Sequence, residues 1–113
     1  RAVAAAREHG AVAPALPVAL TIKRAPKSLP ARVVETVPRD ELYALQTPQV
    51  VRRADLLDAF ARCPKPLEEV TDDLQLLELI GKPTTLIAGE ERNLKLTTPS
   101  DVVLATWWLA QGE

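Results

Sequence analysis

The sequence predicts an α/β fold, because short extended runs alternate along it with helix-forming segments that carry their own start and stop signals. Two-residue alternation at Val18, Leu20 and Ile22 contrasts with helical spacing at Leu56, Leu57, Phe60 and Ala61. Threonine–acid pairs open two helices, at Thr71-Asp72-Asp73 and at Thr98-Pro99-Ser100-Asp101, while Gly10 and Gly81 sit where helices stop. With 113 residues the chain supports one domain at most.

Ala4 to Glu8 is a good helix former with Gly10 as its C-cap. The apolar run 11–16 reads as a buried strand, with Pro14 placing it at an edge or an end. Residues 17–38 differ in character: alternation through Ile22, a break at Ala25-Pro26-Lys27-Ser28-Leu29-Pro30, then resumption at Val33, Val34 and Val37. That pattern predicts a hairpin-like arm with too few large apolar residues for a core of its own. Leu42 to Leu45 is a short strand closed by Gln46-Thr47-Pro48-Gln49, and Arg53 to Ala61 is a helix stopped by Pro64 and Pro66. Thr71 is expected to cap the next helix, with Asp72 and Asp73 at its positive end. Thr84 to Ala88 reads as a strand, Asn93 to Leu96 as another extended piece, and Thr98 as the cap of a final helix with Pro99 in its first turn and Asp101 three residues on. Trp107 and Trp108 in that helix are expected to anchor a core or an interface.

Composition removes several function classes. Lysine and arginine total 14 against 15 aspartates and glutamates, so no basic field exists to attract nucleic acid. The longest apolar stretches fall well short of the roughly 20 residues that span a bilayer. The chain begins at Arg1, and residues 1–10 are alanine-rich without a signal-peptide pattern, so the start is expected to be an interior cut in a longer protein. A single Cys63 excludes an internal disulfide and a single His9 excludes a His-rich metal site, which together point to a reducing, cytoplasmic setting. Cys63 has no neighbouring histidine and reads as a structural thiol.

Five short motifs carry more. Leu16-Pro17-Val18, Thr21-Ile22-Lys23, Thr47-Pro48-Gln49, Thr71-Asp72-Asp73 and Asn93-Leu94-Lys95-Leu96-Thr97-Thr98-Pro99 occur in that order. In order and spacing the chain resembles the carboxy-terminal half of the 2-C-methyl-D-erythritol 4-phosphate cytidylyltransferase family, over nearly its whole length. The resemblance implies the C-terminal half of a Rossmann-like nucleotidyltransferase sheet over residues 1–113, with residues 17–43 as an extended β-arm for homodimerisation. It implies transfer of a cytidylyl group from CTP to methylerythritol phosphate in non-mevalonate isoprenoid synthesis, with Mg²⁺ held by acidic ligands in an N-terminal, CTP-binding half. That half is absent here: no Gly-rich loop bearing arginine and lysine occurs in these residues. A sister family that uses ribitol or another polyol phosphate shares the Thr-Pro-Gln, Thr-Asp and Lys-hydrophobe-Thr motifs. A noncatalytic dimerisation module, with vestigial phosphate residues, is the reading from a different class.

Joining two phosphorylated substrates calls for cations and hydrogen-bond donors more than for a nucleophile. The resemblance assigns Lys95 and Arg39 to positioning the sugar phosphate, with Arg39 reaching into a partner subunit's site, and Thr21, Thr71 and Thr47 to substrate contact. Each has a plainer reading. Lys95 could be a solvent-facing lysine, Arg39 the partner of Asp40 or Glu41 in a surface ion pair, Thr71 simply a cap and Thr47 a strand-ending turn. One departure stands out: Ala19-Leu20 precedes Thr21 where the family commonly has a polar pair.

Overall fold

The structure, a computed structural model, describes residues 1–112. Its centre is a three-stranded mixed sheet in the order β4-β1-β5, with β1 (Val12–Pro17) in the middle. β5 (Thr85–Ala88) runs parallel to β1 in the register Val12↔Thr85 through Ala15↔Ala88. β4 (Tyr43–Leu45) runs antiparallel, from Ala15↔Leu45 to Pro17↔Tyr43. Helix α1 (Ala2–His9) packs on β1 and β5 and stops at Gly10, whose φ of 94° lies in the left-handed region open to glycine.

Small residues at the start of β1 and just before it let two helices come close. Ala11 and Ala13 are buried in one cluster with Ala59 of α2 (Arg53–Arg62) and with Leu74, Leu76 and Leu77 of α3 (Asp73–Leu79). Val51, Leu56, Cys63, Val70 and Ile80 surround that cluster. Cys63 is half-buried, and its Sγ donates to the Lys65 carbonyl at 3.2 Å, as a structural thiol should. The two helices are also tied by charge: Lys82 Nζ, just past α3, lies 3.1 Å from Asp55 Oδ1 and 3.7 Å from Asp58 Oδ2 on α2.

Pro14 proves to lie in the central strand rather than at an edge, for a reason visible in the ladder. The Pro14 carbonyl accepts from Gln46 N at 2.9 Å, so Pro14 faces the β4 side. On that side the partners shift from Ala15↔Leu45 to Val12↔Val50, because residues 47–49 bulge away. Pro14 thus sits at the last pair before the bulge, and the ladder forgoes only the one bond that an N–H there would have returned to Gln46.

The arm is the hairpin the alternation predicts. β2 (Ile22–Arg24) and β3 (Glu35–Val37) pair antiparallel, Ile22 opposite Val37. Polar cross-strand pairs hold it: Lys23 Nζ donates to Thr36 Oγ1 at 2.6 Å, and Arg24 Nε lies 2.7 Å from Glu35 Oε1. No residue from 17 to 43 is buried.

Three local expectations change. The cap of α3 is Asp72, whose carboxylate accepts from Gln75 N at 2.8 Å, and not Thr71. Thr71 sits one residue earlier, its N–H and hydroxyl both donating to Gln75 Oε1 at 2.6 and 3.0 Å. Residues 93–96 are not a strand, since they pair with no ladder. Helix α4 (Pro99–Ala110) has the expected capping box at Thr98 and Asp101, yet none of its residues is buried, and Trp107, 57% exposed, anchors no core, which leaves the interface alternative of that expectation. Trp108 is half-buried, with the Arg92 guanidinium 5.9 Å from its ring centre. Asp101 accepts from Thr97 N and Oγ1 and from Thr98 N at 2.9–3.1 Å; the Thr97 backbone bond leads these in holding its carboxyl below the usual aspartate range.

Candidate functional site

Beside the β4 end of the sheet the chain leaves an open cavity of about 440 Å³. Three segments converge on it: the bulge after β4, which carries Thr47; the lead into α3, which carries Thr71 and Asp72; and the loop after β5, which carries Glu91, Asn93 and Lys95. The structure thus brings together Thr47, Thr71 and Lys95, residues separated widely in sequence. Arg39 and Thr21 stay on the arm and line no part of this cavity.

Lys95 is exposed and makes no ion pair among the described residues, so its ammonium is available to a ligand. Thr71 is not equally free, because its hydroxyl already donates to Gln75. The start of α3 is likewise occupied: Leu74 N donates to Gln49 Oε1 at 3.3 Å and Gln75 N to Asp72. With two first-turn N–H groups committed and a carboxylate at its cap, this helix start opposes an added anion rather than inviting one. Thr47 contributes its carbonyl, which accepts from Asn93 Nδ2 at 2.5 Å. Arg39 is not in an ion pair with Asp40 or Glu41; its Nη1 donates to the Ala19 carbonyl at 2.6 Å and so closes the base of the arm.

The cavity carries one cation, Lys95, against two carboxylates, Asp72 and Glu91. Taken alone it is a poor place for a doubly charged phosphate, so a phosphate bound here needs cations from beyond these three segments. The residues present do not fit a magnesium site either. No group of three or more histidine, cysteine, aspartate or glutamate side chains gathers among the described residues, and Asp72 is committed as a helix cap. No helix among them is long and apolar enough to cross a membrane.

Two residues at the cavity escaped the reading of the sequence as functional. Gln46 bridges β4 to the loop after β5, donating from Nε2 to the carbonyls of Glu90 at 2.7 Å and Asn93 at 3.1 Å and accepting from Glu90 N at 3.2 Å. Asn93 answers with its bond to Thr47. Gln46 follows β4 directly and Asn93 lies in the loop after β5, the two strands that flank β1, and that placement is the one signal that could have marked them.

Comparison with known proteins agrees with this architecture. The family described as "2-C-methyl-D-erythritol 4-phosphate cytidylyltransferase" is matched over residues 1–111. The enzyme of that name from Gloeobacter violaceus is 43% identical over 106 residues, which cover 93% of this chain and 45% of the relative. The "Bifunctional enzyme IspD/IspF" of Anaeromyxobacter sp. is 45% identical over 93% of this chain and 28% of its own length. Among solved structures, 2-C-methyl-D-erythritol 4-phosphate cytidylyltransferase from Thermus thermophilus superposes with a TM-score of 0.81 at 36% identity, over 97% of this chain and 53% of that one. The chain therefore spans about half the length of the monofunctional relatives it matches and about a quarter of the bifunctional one. The expectation of a carboxy-terminal half gives way to a coarser statement, that these residues correspond to part of such an enzyme. The chain belongs to the 2-C-methyl-D-erythritol 4-phosphate cytidylyltransferase family.

Proposed function

We propose that this chain forms the polyol-phosphate-binding portion of an enzyme that transfers a cytidylyl group from CTP to 2-C-methyl-D-erythritol 4-phosphate. The single observation that carries the reading is Lys95, an unpaired ammonium on a cavity shared with Thr47 and Thr71, in a chain of this family. A phosphate oxygen of the polyol phosphate attacks the α-phosphorus of CTP; the new P–O bond forms as the bond from that phosphorus to the bridging oxygen breaks, and pyrophosphate leaves. Lys95 offsets the repulsion between the two anions and fixes the direction of attack.

Residues 17–43 act as the arm of a homodimer, delivering Arg39 and Thr21 to the partner's cavity. This would supply the cation that the cavity lacks on its own. The CTP-cradling loop and the carboxylates for Mg²⁺ come from the rest of the family's length, in a cytoplasmic protein.

Steady-state kinetics on the intact protein test this. It should form a cytidine diphosphate ester and pyrophosphate from CTP and methylerythritol phosphate, and favour that substrate over ribitol 5-phosphate. Lys95→Ala should lower kcat/KM for the polyol phosphate by about one to two decades, the loss of a charge-assisted hydrogen bond, while the KM for CTP stays put. Preference for ribitol phosphate would move the assignment to the sister activity. No turnover of either substrate would leave a dimerisation module.

A further inference from the structure

We propose that Gln46 is a positioning residue that holds the Lys95 loop at the cavity, an inference resting on the reading of Lys95 as a phosphate ligand. A lysine that makes no side-chain bond of its own is placed only by its backbone, and the backbone before Lys95 belongs to no sheet ladder. Two turn bonds, from Asn93 N to the Glu90 carbonyl and from Leu94 N to the Arg92 carbonyl, shape the loop but do not tie it to the sheet. Gln46 does so with three hydrogen bonds, to both polar groups of the Glu90 backbone and to the carbonyl of Asn93, two residues before Lys95. The Asn93 side chain returns a bond to the Thr47 carbonyl, so the link closes on the residue that follows Gln46.

The loop leaves room for this amide at one point. A methyl group at Gly89 would collide with Gln46 Oε1 and stand 3.1 Å from the Ala15 carbonyl. The φ of Gly89 is not positive, so the glycine serves close approach and not an unusual backbone. A glutamine amide offers two donors and an acceptor to one rigid plane, which leucine, glutamate and asparagine each fail to reproduce in charge, polarity or reach. The clasp thus sets the separation between the Thr47 side of the cavity and Lys95.

The test is a double-mutant cycle in the intact protein, with steady-state kinetics in CTP and in whichever polyol phosphate the wild type turns over. Gln46→Leu should lower kcat/KM for the polyol phosphate by roughly tenfold and leave the KM for CTP within about twofold. In a Lys95→Ala background the same change should cost little more, because the residue it positions is gone. Gln46→Glu keeps the volume and the acceptor for Glu90 N but sets a carboxylate against two carbonyls; it should reproduce the loss if Gln46→Leu fails to fold. Multiplying losses in the double variant, or equal losses toward CTP, would assign Gln46 a merely structural role and overturn the inference. Insensitivity of the single Lys95→Ala variant would instead remove the reading beneath it.

Discussion

The arm and the central strand of the sheet are both rich in apolar residues and reach opposite states. At β1 the apolar run is covered: residues 11–15 are all buried, Ala11 and Ala13 lie under α2 and α3, and Leu77 of α3 is only 1% exposed. In the arm, Leu20 is 77% and Leu29 81% exposed, and the hairpin stands on hydrogen bonds and one ion pair. Exposed pairs of that kind contribute about 0–1 kcal/mol each, too little to order a hairpin against its chain entropy without a covering surface. Periodicity reports which face a residue occupies; it is silent on what covers that face.

This contrast fixes where a substitution should hurt. Leu77→Ala removes a fully buried side chain and should destabilise the protein by about 2–5 kcal/mol, read as a lower midpoint of denaturant unfolding. Leu20→Asp and Val34→Asp touch no core, so the stability of a monomer should change by about 0.5 kcal/mol or less. Their effect should instead appear in light scattering, as dimers that dissociate at higher protein concentration. A large loss of monomer stability from the arm variants would mean that the arm packs on its own body.

The smallest effect belongs to the start of α4. Asp101 has a depressed carboxyl, held first by the Thr97 backbone bond, so its cap stabilises the helix fully above the ordinary aspartate range and the contribution is lost as pH falls through the depressed value. Asp101→Asn should flatten that acid dependence in the helical circular dichroism and leave neutral-pH activity nearly unchanged. An unaltered acid profile would show that the cap adds nothing to folding.

Much of the architecture was legible because each element carries local chemistry. Gly10 stops α1, Thr98 and Asp101 start α4, and proline punctuation bounds the arm and α2. What escaped depended on partners distant in sequence. Pro14 lies in the central strand at the last pair before residues 47–49 bulge out, where a single ladder bond is forgone. Asp72 displaces Thr71 as a cap because Gln75 takes up Thr71 on its own side chain. The tryptophans of α4 read as anchors of a core or an interface; Trp107 is exposed and Trp108 only half-buried, so neither belongs to the core described here. The candidate site divides in the same way. Lys95, Thr71 and Thr47 were legible from motifs, whereas Gln46 acts through a loop 44 positions away at Glu90. No spacing rule in one sequence reports that contact.

The central claim is that one polyol phosphate is held by Lys95 of one subunit and Arg39 of the other. Subunit mixing tests it directly. Arg39→Ala and Lys95→Ala are prepared separately in the intact protein, each with strongly reduced turnover, then mixed in equal amounts and allowed to exchange subunits. A mixed dimer holds one site with both lesions and one with neither, and about half of all dimers are mixed, so activity should recover to about a quarter of wild type. A mixture no more active than its components, after exchange has been verified, would contradict the account and place Arg39 outside the partner's site.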